Sequence, residues 1–157
     1  MRRIITAIVY NKSGVLSRIT SVLNRRQVNI ESISVGVVEA EISRMTIVIN
    51  VNTLSEAEQV TKQLNKQIEV VKVSDITDDP HIERELALIQ VNAPMSVRSE
   101  IQAVIAPFRA DIVDVAQKTI IVQVAGTHDK INAFIDVLRP YGIKQLARTG
   151  ITGIKRG

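Results

Sequence analysis

The chain has 157 residues, 45% of them apolar and only 3% aromatic, with no cysteine and a formal net charge of +4. That length suits one domain or two small ones with a core of Ile, Val and Leu, and the lack of cysteine excludes disulfides, thiol catalysis and Cys-ligated zinc while suiting a reducing cytoplasm, the expected location. No apolar run approaches the roughly 20 residues of a membrane span, so no membrane association is expected, and the cations are too dispersed to mark an anionic partner strongly.

Residues Arg3–Tyr10 are β-branched and apolar and read as a strand. Gly14–Arg26 follows as a helix, with Val15, Leu16, Ile19, Val22 and Leu23 on one stripe and Ser13 or Asn11 as its cap. Asn29–Val38 and Ser43–Val51 read as a hairpin joined through "EAEI". Ser43–Val51 is apolar on both faces, whereas Asn29–Val38 carries Ser32, Ser34 and Gly36 on one face, small enough for a partner surface to approach. That pattern suggests a homo-oligomer. Thr53-Leu54-Ser55-Glu56 is a capping box opening a helix with Ala57, Val60 and Leu64, and Val70–Ile76 is a further strand. The order β-α-β-β-α-β is the ferredoxin-like split unit. Thr77–His81, "TDDPH", has two acids, a proline and no apolar residue, which is a linker composition.

The pattern then repeats. Glu85–Val91 is a strand, Ser96–Ala106 a helix with Val97, Ile101, Val104 and Ile105 inward, and Pro107 its end. Asp111–Ala116 and Thr119–Ala125 form a hairpin around Gln117-Lys118, Thr127 caps a helix with Ile131, Phe134, Ile135 and Leu138, and Ile143–Thr149 is the sixth strand. The expected fold class is α+β, two tandem ferredoxin-like βαββαβ domains over residues 1–76 and 82–157, joined by a linker at 77–81.

Little in the chain supports catalysis. His81 lies in the linker and His128 in the first turn of a helix, neither beside a nucleophile motif. The carboxylate pairs Asp78-Asp79, Glu39/Glu41 and Asp111/Asp114 read as solvated, so no catalytic residue and no metal ligand is assigned. Neither a dinucleotide-binding glycine motif nor a phosphate loop is present. The RNA-recognition module shares this strand order but stacks bases on aromatics, and Arg3–Val9 and Arg44–Asn50 contain none, so no nucleic-acid partner is expected.

The loop "NKSG", Asn11–Gly14, leads from a strand into a helix. It reads either as a capped turn with glycine for backbone reasons or as a carboxylate site. In the second reading the free N–H groups of the first helical turn receive the anion, and Gly14 lets it approach.

"NKSGVLSRITSVLNRRQVNIESISVG", together with "SRMTIVI", "HIERELALIQV", "FRADIVDV", "VAGT" and "ARTGI", resembles the small regulatory subunits of acetohydroxyacid synthase, also called acetolactate synthase, over essentially the whole chain. The resemblance makes the N-terminal domain an ACT domain and implies a non-catalytic subunit in branched-chain amino acid biosynthesis. The implied partner is a large catalytic subunit, which the chain activates and renders sensitive to feedback inhibition by valine. Thiamine diphosphate, magnesium and FAD are then expected in that partner and no cofactor in this chain. Carried onto this sequence, the effector site falls on Asn11, Gly14, Val15, Leu16, Asn29 and Ile30, with Ile30 and Val35 lining the side-chain pocket. In side-by-side homodimers of this family the loop of one chain faces the strand of the other. Backbone N–H groups near Gly14–Leu16 would take the valine carboxylate, and Asn11 and Asn29 would accept from its ammonium group. The alternative that the residues leave open is a free-standing ACT amino-acid sensor acting on another target.

Overall fold

In the computed structural model, which describes residues 1–157, period-two alternation builds a sheet with a buried apolar face. Its strands are β1 (Arg2–Tyr10), β2 (Asn29–Glu39), β3 (Ile42–Asn50) and β4 (Val70–Asp75), in the antiparallel order β2-β3-β1-β4. Ile5, Ala7, Val9, Met45, Ile47 and Ile49 point to one face and are buried there. Helices α1 (Val15–Arg25) and α2 (Leu54–Asn65) cover that face with Ile19, Leu23, Val60 and Leu64. Leu16 departs from the expected stripe. It is 46% exposed, because the helix turns it away from the core.

The caps also divide. Thr53 Oγ1 accepts from Glu56 N at 3.2 Å, as the capping box requires, while the Glu56 carboxylate reaches back to Asn52 N at 2.8 Å rather than to Thr53. Neither Asn11 nor Ser13 caps α1; its N-cap is Gly14, in the left-handed region at φ +84°, with no side-chain hydrogen bond.

The stretch read as a linker is a turn fastened to β1. The Asp75 carboxylate accepts from Thr77 N at 3.0 Å and from Thr77 Oγ1 at 2.6 Å. Buried Arg3 donates to Asp75 and Asp78, each at 2.8 Å. Of the two acidic residues that looked like linker solvation, Asp78 is therefore a partner of the buried Arg3 guanidinium and Asp79 pairs with Lys155 at 3.6 Å, and His81 already belongs to the next strand, β5 (His81–Asn92).

Two compact units result, but their boundary differs from the expected one. The first holds Met1–Glu83 and also Ile151–Gly157; the second is Arg84–Gly150. The reason lies on the sheet face that the helices leave open, where Ile4, Val48 and Ile76 form an apolar row. Ile151, 1% exposed, completes that cluster. Behind it β9 (Thr152–Lys155), a strand not expected from the sequence, pairs with β5. Gly153 N donates to Thr46 Oγ1 at 3.1 Å, and Arg44 Nη2 donates to the Gly153 carbonyl at 3.1 Å.

The second unit repeats the split pattern. Strands β6 (Asp111–Val115), β7 (Thr119–Gly126) and β8 (Ile143–Arg148) join β5 in the order β6-β7-β5-β8, and α3 (Arg98–Ile105) and α4 (His128–Leu138) close its core. Phe134 meets Phe108 edge to face at 5.1 Å. Thr127 caps α4 through Lys130 N. Glu85, 4% exposed, is held by Arg148 Nε, and His128 Nδ1 lies 3.6 Å from its other oxygen. His128 is thus a half-buried neighbour of the buried Glu85 carboxylate.

Two measurable consequences follow for the first unit. Ile151→Ala leaves a cavity against Ile4, Val48 and Ile76, so it is expected to cost about 2–5 kcal/mol. Amide hydrogen exchange in β1 and β3 reads this, and unchanged protection there would contradict the shared core. His81 donates from Nδ1 to the Asp79 carbonyl at 2.8 Å and from Nε2 to Glu83 at 2.9 Å, and these contacts, the first the stronger, raise its pKa above the usual value. A raised folded-state pKa gives stability that is full below the unfolded value of about 6.5 and is lost as pH climbs through the folded value. The stability gap between the native chain and His81→Gln is therefore expected to shrink from pH 6 towards alkaline pH; a gap that widens would contradict this assignment.

Candidate functional site

Asn11–Gly14 leaves β1 at its C-terminal end. Asn11 N donates to Glu41 O at 2.7 Å, which ties the loop to the β2–β3 turn, and Lys12 N donates to Tyr10 O at 2.9 Å. The Lys12 ammonium lies 5.5 Å from the Tyr10 ring centroid. Because Gly14 caps α1 without a side-chain acceptor and no acid stands in the first turn, that helix end presents open N–H groups and uncompensated positive potential. Val15 is the exception: its N–H is taken by Lys12 O at 3.3 Å and its side chain is buried in the core. The donors open to a carboxylate here belong to Gly14's neighbours in the loop and to Leu16 onward.

Arg18 was not singled out from the sequence. A Cβ added at Gly14 would meet Arg18 Nη1 at 3.0 Å, so the guanidinium lies against the glycine. Arg18 also pairs with Glu69 at 2.6 Å and donates to Ser13 O at 3.4 Å. The signal was available: Arg18 is four residues after Gly14, one helical turn along the same face.

Asn29 opens β2, and the register fixes where. Asn29 stands opposite Asn50, which stands opposite Arg2, whereas Tyr10 stands opposite Ile42 at the other end of the sheet. Nine residues of β1 separate the two ends, about 30 Å at the usual rise. The structure therefore does not bring Asn11 and Asn29 together within one chain. Asn29 borders a polar cavity of about 320 Å³ that also involves Met1, Arg26, Gln27, Asn50 and Asn52. Ile30 turns inward and packs against the core, and a bulge follows it. Val35 lies midway along β2 and is 50% exposed. Val37 and Val38 on the same edge strand are exposed too, so β2 presents both unpaired backbone groups and apolar side chains.

No group of three or more His, Cys, Asp or Glu side chains is placed to hold a metal ion. No helix is long and apolar enough to cross a membrane.

Comparison with known proteins decides the family. Residues 5–72 match a family model described as an AHAS small subunit-like ACT domain, and residues 84–157 match one described as the small subunit of acetolactate synthase. The acetolactate synthase small subunit of Bacillus subtilis is 54% identical, covering all of this chain and 92% of that protein. The chain belongs to the acetolactate synthase small-subunit family. The family member of Lactococcus lactis subsp. lactis is 51% identical, with all of both chains covered. The crystal structure of the acetolactate synthase small subunit from Thermotoga maritima superposes with a TM-score of 0.90 at 33% identity, covering all of this chain and 98% of that one. As in the expectation from sequence, the fold is α+β with two βαββαβ units, the first an ACT domain. The small-subunit family model runs on to residue 157, so a match in sequence includes the seven residues that pack with the first unit.

Proposed function

We propose that this chain is the non-catalytic regulatory subunit of acetolactate synthase. It binds the large catalytic subunit in the cytoplasm, raises its activity, and confers feedback inhibition by valine held at a homodimer interface of the ACT domain. The thiamine diphosphate, magnesium and FAD of the reaction belong to the catalytic subunit.

The observation that carries this reading is the placement of the two half-sites at opposite ends of one sheet, with an unpaired edge strand running between them. β2 runs parallel to β1, since each is antiparallel to β3. If two copies of β2 pair antiparallel about a two-fold axis, the start of one β2 lies beside the end of the other. Asn29 of one chain then comes to the end of the partner sheet where the Asn11–Gly14 loop stands. The isologous contact makes this happen twice. The first-turn N–H groups and Arg18 receive the valine carboxylate, the side-chain oxygens of Asn11 and Asn29 accept from its ammonium group, and Ile30 and Val35 supply apolar surface for the side chain. Such charge-assisted hydrogen bonds contribute roughly 1.5–3 kcal/mol each, so two or three of them with apolar contact reach the ~8 kcal/mol of micromolar binding.

Reconstitution with the large subunit tests this. Gly14→Asp is expected to leave activation intact and to raise the valine concentration for half inhibition at least tenfold. The added carboxylate repels that of valine, and the loss of one charge-assisted bond alone exceeds the ~1.4 kcal/mol of a tenfold change. Aspartate tolerates the left-handed backbone better than a β-branched residue does, which limits damage to the fold. An unchanged valine titration would remove the loop from the site.

The two-chain geometry has its own test. In a heterodimer of a Gly14→Asp chain with an Asn29→His chain, one site collects both lesions and the other neither. Valine stoichiometry is expected to rise from near zero in each mutant homodimer to one per heterodimer. No recovery would place the pocket within a single chain.

A further inference from the structure

The sheet face of the first unit away from its helices is organised in rows by the strand register. One row is apolar: Val48 and Ile4 beside Ile76, capped by Ile151. The next is hydroxylic, since Ser34 stands opposite Thr46, Thr46 opposite Thr6, and Thr6 opposite Ser74. The third is cationic: Arg44 and Lys72 stand on either side of Ile8, two strands apart. At the usual strand spacing their Cα atoms are about 10 Å apart, within reach of one small ion from both long side chains. Gly36 continues this row beyond Arg44, and open space surrounds it.

A cavity of about 210 Å³ lies over these rows, involving Thr6, Ile8, Arg44, Lys72, Ser74 and Lys155, with no carboxylate in its wall. Its cations are unequally satisfied. Lys155 is paired with Asp79 at 3.6 Å. Arg44 donates from Nη2 to the Gly153 carbonyl, but its Nε is buried with no hydrogen-bond partner in the protein. A buried guanidinium N–H without an acceptor is costly, more so than a neutral group, so Arg44 stands beside the cavity with part of its hydrogen-bonding capacity unmet.

We propose that this cavity is a binding site for a small dianionic oxyanion, held between Arg44 and Lys72 across Ile8 with the hydroxyls of Thr6 and Ser74 as further donors. The chemistry is that of a phosphate group or a short dicarboxylate. A planar guanidinium fork on one side and a mobile ammonium on the other suit two or more oxygens of one ligand. The site stands apart from the Gly14 loop and from Asn29 and does not depend on the valine reading. One of its walls is the C-terminal strand β9, so the ligand would bind a surface that is complete only when residues 151–157 are docked.

The test is calorimetric titration of the full chain with inorganic phosphate and, separately, with succinate, at fixed ionic strength in chloride buffer. Saturable binding of one ion per chain is expected for at least one of them, and the preferred ion distinguishes a phosphate-type from a dicarboxylate-type ligand. Lys72→Gln, which removes an exposed cation with no ion pair, is expected to weaken binding at least tenfold without moving the ligand-free unfolding temperature. Arg44→Gln is expected to weaken it further, Lys155→Gln less, and Lys118→Gln, in the second unit, not at all. Absence of saturable binding of either ion, or equal binding by the Lys72 and Lys118 variants, would overturn the proposal.

Discussion

A four-stranded sheet with two helices can bury only one of its faces, and in this protein the central strand β3 also carries an apolar residue, Val48, on the other. Met45, Ile47 and Ile49 meet the helices, while Val48 faces away and is nonetheless fully buried. Covering that second face is the constraint to which the rest of the first unit answers. It brings residues 151–157 to the N-terminal sheet, seats Ile151 on Ile4, Val48 and Ile76, and sets Gly153 between the Thr46 hydroxyl and the Arg44 guanidinium. The register then gives each row of the open face its own chemistry, apolar where the chain covers itself and cationic where it does not.

The ionic contacts of the first unit follow the same logic of satisfied burial. Arg3 is buried in the sheet and is matched by Asp75 at the end of β4 and Asp78 in the turn that follows, so the turn cannot swing free as a solvated tether would. Its value lies less in net stability, which desolvation erodes, than in fixing where β5 begins. The α1 terminus follows the opposite logic. There a helix end is left without its usual side-chain acceptor, and its first-turn N–H groups are not closed off by a side chain of the fold.

Periodicity made most of this architecture readable. The helix stripes Ile19-Val22-Leu23 and Ile131-Phe134-Ile135-Leu138 report local geometry directly and are buried as expected, and the β-branched, apolar runs of β1 and β3 form strands as expected. The Thr53 and Thr127 caps were readable for the same reason. What could not be read depends on contacts between residues far apart in the chain. "TDDPH" looks like a linker until Arg3, some 75 positions earlier, is placed beside it. "GITGIK" is too short and too glycine-rich to signal a strand, and only the unfilled row on the first sheet explains it. In the candidate site, Gly14 and Asn29 were legible as loop and strand-start residues. Arg18 was legible only through its spacing of four from Gly14, which sets its side chain back along its own helix, and Leu16 was misassigned because its stripe position lies at the margin of the core.

The return of the C-terminal strand makes the first unit discontinuous: the second unit, Arg84–Gly150, is inserted within it. Ile4 and Ile151 share a cluster although nearly the whole chain lies between them, and closing a loop of that length carries a large entropic cost early in folding. Residues 1–83 hold all four strands and both helices of the first sheet, so its helix-side core can form before the inserted unit is made, whereas the row Ile4, Val48 and Ile76 stays bare until Ile151 emerges. In that interval the open face of the ACT sheet presents an apolar row to wrong partners.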